Sequence, residues 1–255
     1  MPAKARDPRS LCYDFAVSSH PQRGKFITFE GLDGCGKSTQ LEKLAKVLHA
    51  QRLSVAVTRE PGGTPTGDKI RKLLLYSGTS SLAPLAELAL MFASRAQHVK
   101  EVIQPALAEG RIVLCDRFTD SSEAYQGGGR KLGSEPVLAL HHALFGGLQP
   151  DLTILMDSDP VMSVERARRR NKLSTPGHKR DDHDENRFEQ ESRAFFGRVR
   201  NAYLAIAERE PERVVVVDAR GTPEKTHKAI KEVVARKLKI ALGSQPSAFS
   251  RSGAR

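Results

Sequence analysis

The stretch Gly31-Leu32-Asp33-Gly34-Cys35-Gly36-Lys37-Ser38 constrains this chain more than any other, because it follows the apolar run KFITFE and opens a helix-forming run. Its spacing is GxxxxGK followed by Ser or Thr, a loop that works only between a strand and a helix. Glycines let the backbone wrap an anion, successive N–H groups point inward, and the helix N-terminus adds partial positive charge. Gly31, Gly34, Cys35, Gly36, Lys37, Ser38 and Thr39 are therefore assigned to nucleotide phosphates, with Lys37 reaching the β- and γ-phosphates and the Ser38 hydroxyl ligating magnesium. A glycine-rich turn that binds nothing is set aside, since both the eight-residue match and its context are met.

The rest of the chain has the order that such a loop requires. Apolar, β-branched runs at 25–30, 54–59, 111–116, 152–157 and 213–218 lack the alternation of a half-exposed sheet and read as buried parallel strands. Helices are expected at 37–51, 84–109, 135–145, from 160 onward, 187–210 and 223–238. In the fifth of these, Phe188, Phe195, Val199, Ala202 and Ile206 share one face. Repeated βα order predicts an α/β doubly wound sheet. Residues 171–186, with Pro176-Gly177 and both charge signs, read as a surface loop, and the Ser/Gly/Arg-rich tail at 241–255 as disordered.

Composition narrows the functional classes. The 255 residues contain no apolar run of membrane-spanning length, and 1–22 carry Asp7 and Asp14 without the apolar stretch of a signal peptide. The expectation is a soluble, cytoplasmic protein with a poorly ordered N-terminal extension. Cys12, Cys35 and Cys115 have no metal-ligand spacing and read as free thiols. The net charge of +11 suits nucleic acid, an anionic surface or a phosphorylated small molecule. With 5% aromatic residues and basic residues spread along the chain, apart from RARRR at 166–170, a dedicated nucleic-acid role is disfavoured. His178 and His183 beside Asp181, Asp182 and Asp184 sit in a solvated charged loop, which argues against a metal site.

A phosphate loop fixes the nucleotide, not the reaction. Guanine recognition usually brings an NKxD element; Asn171-Lys172-Leu173-Ser174 lacks the Asp. Three further polar segments stand near strand ends, where ligands bind in open α/β sheets: REPGGT at 59–64, SRAQH around Arg95, and DRFTDSSEAYQGGGR at 116–130. With FITFEGLDGCGKSTQ, TREPGGTPTGDKIR, VLCDRFTDSS and RFEQE in order and spacing, the chain resembles the thymidylate kinases, bacterial type, over about residues 24–240.

That resemblance implies a P-loop kinase fold, a three-layer α/β sandwich on a five-stranded parallel sheet, in a domain over 23–240 with a mobile lid near 166–187. It implies ATP and Mg2+ as cofactors, dTMP as acceptor, dTDP as product and a homodimer packed through helices, residues 84–109 being the candidate face. Asp33 resembles the acidic residue near the sugar hydroxyl and reacting phosphates. Arg71 and Arg117 resemble the arginines that hold the acceptor phosphate, a task suited to planar guanidinium forks. Arg95 resembles the arginine that reads the thymine carbonyl, with Ser122 and Gln126 on the base edge. Asp116 has the position of the carboxylate that orients magnesium, through water; a helix N-cap is its alternative.

Three departures matter. Four positions before Arg95, where an aromatic residue often stacks on thymine, stands Met91; the neighbouring aromatic Phe92 is taken as the stacking candidate, with core burial as its alternative. Asn186-Arg187-Phe188-Glu189 replaces a DRFE-like motif, and the 171–186 loop is long and charged. Some relatives carry a basic residue in the phosphate loop where this chain has Gly34; with RARRR following, the catalytic cation is expected from the lid, Arg170 first and Arg169 next. A kinase with another acceptor, and a nucleotide-binding regulatory module, remain the rival readings.

Overall fold

The computed structural model describes residues 23–76, 82–173 and 187–239. Five strands, β1 (Phe26–Glu30), β2 (Val55–Arg59), β3 (Ile112–Asp116), β4 (Leu152–Asp157) and β5 (Val214–Asp218), form one parallel sheet in the order β2-β3-β1-β4-β5. All five begin within one residue of the sequence expectation. The chain leaves β1 toward β2 on one side and leaves β3 toward β4 on the other. A crevice therefore opens between the C-terminal ends of β1 and β3, where the phosphate loop and the segment from Arg117 emerge.

Alternation along the central strand assigns its two faces. Ile27 and Phe29 pack with Leu114, Ile154 and Met156 under α1 (Lys37–Ala50) and α9 (Pro223–Leu238). Phe26 turns the other way, joining Val113 and Cys115 beneath α3 (Pro84–His98) and α6 (Glu135–Phe145). A third cluster gathers Leu32, Tyr125 and Leu155 around α8 (Arg193–Arg209). Cys35 and Cys115 are buried free thiols; Cys12 lies outside the described residues.

The expected helix at 84–109 is interrupted. After α3 the chain widens into a π-helical turn over Val99–Ile103 before α4 (Gln104–Ala108). Pro105 offers no N–H to the carbonyl four residues back, so the ladder changes register there. Most apolar residues of this stretch, including Leu88, Phe92, Val99, Ile103 and Leu107, face the core rather than a partner; Leu85 is 63% exposed. Residues 187–192 are not the start of α8 either: Phe188–Gln190 form a 3-10 turn, and Ser192 caps α8 by accepting from Phe195 N at 3.2 Å.

Two helical segments had no sequence expectation. The first, α2 (Pro65–Leu75), is capped by the Thr64 hydroxyl, which accepts from Gly67 N. The second begins as α5 (Thr119–Ser122) and continues π-helically through Glu123–Gly129. Its glycines reflect close approach: a Cβ on Gly129 would meet the Phe195 ring at 2.6 Å, and one on Gly128 would meet Ala202 Cβ at 2.6 Å. The remaining helix, α7, spans Pro160–Leu173. The expectations for 1–22, most of the 166–187 lid, His178, His183 and the 241–255 tail fall outside the described residues, as does the side chain of Arg170. No described helix is long and apolar enough to cross a membrane.

Candidate active site

The phosphate loop leaves β1 with Gly31, Gly34 and Gly36 at φ of +130°, +80° and +98°, a backbone path L side chains rarely take. Gly36 caps α1, whose first residues are Lys37, Ser38 and Thr39. Lys37 Nζ donates to the carbonyls of Gly31 (3.1 Å) and Leu32 (3.0 Å), so the ammonium lies over the loop. Gly34 presses on α7: a Cβ there would lie 2.1 Å from Ser163 O. This loop has no room for a basic side chain at that position. On α7, Arg166, Arg168 and Arg169 are exposed, with Arg168 donating to Glu189 O.

Ser38 Oγ donates to Asp116 Oδ2 at 2.8 Å, joining the start of α1 to the end of β3. An oxygen-only pair of this kind, one hydroxyl and one carboxylate beside a phosphate loop, fits magnesium, which prefers few protein ligands plus phosphate and water. Cys35 contributes backbone here; its thiol is buried, and burial pushes it above its usual range.

Arg117, at φ +75°, makes the sharp exit from β3. Such a conformation is strained for a residue with a Cβ and persists where contacts over-determine it. Its Nη2 donates to Asp33 Oδ1 (2.8 Å) and Tyr125 Oη (3.2 Å), and its Nη1 to Ser121 Oγ (2.9 Å) and Tyr203 Oη (3.1 Å). Tyr125 also donates to Asp33 Oδ2. Burial alone would raise the Asp33 pKa, but Arg117 and Lys37 outweigh it and hold the carboxyl well below the usual carboxylate range. Beneath lies Glu30, at 0% exposure, accepting from Phe118 N (2.7 Å), Ser121 (2.5 Å) and Tyr203 (2.9 Å). Burial, with the nearby Asp120 charge, pushes Glu30 up to about 7.

The second clamp is built on α3. Glu60, after β2, accepts from Arg95 Nε at 2.6 Å and pairs with His98 Nδ1 at 2.8 Å, while Ser94 Oγ accepts from Gly62 N. Arg95 Nη2 donates to Phe118 O and Ser122 Oγ, each at 3.0 Å. Its Nη1 is buried with no hydrogen-bond partner. An orphaned donor on a side chain that lines a cleft fits a ligand oxygen. Glu60, Glu30, Glu87, Tyr125 and Tyr203 were not anticipated. Glu60 and Tyr125 sit within segments singled out from sequence, whereas Glu30 and Glu87 are lone carboxylates in apolar runs.

One cleft of about 780 Å³, counting its open mouth, is lined among others by Asp33, Arg71, Met91, Arg95, Arg117, Ser122 and Gln126. Arg71 Nη1 donates to Pro61 O at 2.9 Å and closes one side. Phe92 does not reach the cleft. It is 1% exposed, stacks on Phe145 with centroids 5.9 Å apart, and carries the Arg95 guanidinium 4.7 Å from its ring. The expected stacking residue thus supports the arginine from the core side, and Met91 supplies the cleft wall.

A family model for thymidylate kinase matches residues 29–230. The chain belongs to the thymidylate kinase family. It is 48% identical over 215 residues to the thymidylate kinase of Trichlorobacter lovleyi, covering 84% of this chain and 99% of that one. It is 50% identical over 196 residues to that of Pseudomonas syringae pv. tomato, covering 77% and 88%. The crystal structure of thymidylate kinase from Ehrlichia chaffeensis superposes with a TM-score of 0.64 at 31% identity, covering 83% and 99% of the two chains. Membership of the thymidylate kinases accounts for both halves of the site, a phosphate loop and a separate polar cleft beside it.

Proposed function

We propose that this chain transfers the γ-phosphoryl group of ATP to dTMP, giving ADP and dTDP. The observation that carries the reading is one cleft that brings Asp33 of the phosphate loop together with Arg71 and Arg117, and with a half-satisfied Arg95, Ser122 and Gln126. Arginines for a phosphate and hydrogen-bonding groups for a base edge are what a nucleoside monophosphate requires.

An oxygen of the dTMP phosphate attacks the γ-phosphorus of ATP. The bond to the β–γ bridging oxygen breaks, and ADP leaves with that electron pair. Such a transfer asks chiefly for positioning and charge stabilisation. Lys37 exchanges its loop carbonyls for the β- and γ-phosphates. Arg117, whose Nη groups donate to Asp33, Tyr125, Ser121 and Tyr203, exchanges some of these partners for the acceptor phosphate, which it holds with Arg71. Ser38 and Asp116 would hold magnesium, which would supply further neutralisation of the ATP phosphates. Arg170 is kept as the additional cation on its sequence position. The same reading carries a cytoplasmic homodimer without a nucleic-acid partner.

ADP release in the presence of ATP and magnesium, compared for dTMP, dUMP, dCMP, dAMP and thymidine, tests the proposal. Turnover should be greatest with dTMP and absent with thymidine, which has no phosphate to attack. A rate that dTMP leaves unchanged would sink the assignment.

A further inference from the structure

Gln126 lines the cleft and donates its Nε2 hydrogen to Glu87 Oε1 at 2.8 Å. Glu87 is fully buried and tied down from two more directions. Arg130 donates through Nε to both carboxylate oxygens at 3.2 Å and through Nη2 to Oε2 at 3.0 Å, and Arg187 Nη1 donates to Oε2 at 2.8 Å. A carboxylate gripped by two guanidinium groups accepts hydrogen bonds and donates none. The Gln126 amide therefore has one permitted orientation, which commits Nε2 to Glu87. Its Oε1 remains, engaged in no hydrogen bond among the described residues.

Glu87, Met91 and Arg95 follow one another at intervals of four on α3 and so form one stripe along the cleft side of that helix. At its far end, Arg95 Nη1 is a donor without a partner. The base pocket thus offers a donor from Arg95 and an acceptor from Gln126. Thymine presents the complement, a C4 carbonyl and an N3–H. Cytosine presents the reverse, a C4 amino group and a bare N3.

We infer that Glu87 is a positioning residue for base selection: by fixing the Gln126 amide it makes the pocket accept a 4-oxo pyrimidine and reject a 4-amino one. This rests on the reading of Arg95 and Gln126 as the base end of the dTMP site. With a carboxamide in place of the carboxylate, residue 87 donates as readily as it accepts. The Gln126 amide then turns over and presents Nε2 to N3, which weakens thymine and relieves part of the penalty against cytosine.

The test is the ratio of kcat/KM for dTMP to that for dCMP, measured on the full chain for wild type, Glu87→Gln, Glu87→Asp and Arg213→Gln, with thermal unfolding alongside. Glu87→Asp keeps the charge that Arg130 and Arg187 require while drawing the carboxylate back from Gln126, so the question stays open to measurement if Glu87→Gln does not fold. The ratio should fall at least tenfold in either Glu87 variant, while Arg213→Gln, which breaks a buried ion pair with Asp120 away from the cleft lining, lowers the melting temperature and leaves the ratio near wild type. An unchanged ratio in a folded Glu87 variant, or an equal fall in Arg213→Gln, overturns the inference. A wild type with no preference for dTMP overturns instead the function on which it rests.

Discussion

Single side chains in this site are held more than they are displayed. Glu30 illustrates the cost. Its carboxyl is pushed up to about 7 from an ordinary value of 4.5, chiefly by burial, so between those pH values the folded chain keeps a proton that the unfolded chain releases. The sign follows from linkage: this group's contribution is fully present below 4.5 and is lost as pH rises through about 7, with a slope of at most about 1.4 kcal/mol per pH unit. Urea unfolding of wild type and Glu30→Gln at pH 5 and pH 8 should show a smaller decline for the variant; identical declines would remove Glu30 as the cause. The phosphate loop was legible because spacing alone carries its chemistry. Buried acids such as Glu30 and Glu87 were not, since one carboxylate in an apolar run looks alike whether it is exposed or buried among hydrogen-bond donors. Phe92 failed for a related reason. One step along a helix turns a side chain by about 100°, and that step separates the cleft, where Met91 lies, from the core.

Whole elements were legible where an unbroken apolar run marked a strand, as in all five, or where a helical run kept its period, as in α6 and α9. The AYQGGGR segment offered neither, because three glycines carry no helical periodicity and its π-helical course is imposed by α8 crossing at contact distance. Gly129→Ala puts a methyl group into the Phe195 ring and should cost roughly 1–3 kcal/mol in chemical denaturation. An unchanged unfolding midpoint would mean that α8 yields freely at this crossing. Similarly, α2 was hidden by its start, TPTG, where cap, proline and glycine read as turn until the Thr64 hydroxyl is seen accepting from Gly67.

At the scale of the molecule, a parallel sheet was implied by βα alternation, but the strand order, and with it the crevice between β1 and β3, appears only when the connections are seen to leave in opposite directions. Assembly is the remaining global property. Leu85 on α3 is 63% exposed, and Leu138 and Leu144 on the neighbouring α6 are 36% and 38% exposed. Light scattering after size exclusion should give twice the chain mass for wild type and a shift toward one chain mass for Leu85→Glu, with the circular dichroism spectrum retained; a monomeric wild type ends the dimer proposal. The contact of Gly34 with Ser163 and Ala167 has a consequence for how this lineage can change. A basic residue acquired at position 34 would collide with α7 as it stands, and withdrawing α7 first would leave a glycine loop without its neighbour. A lysine or arginine at position 34 therefore requires a paired change in α7, and no single substitution delivers it.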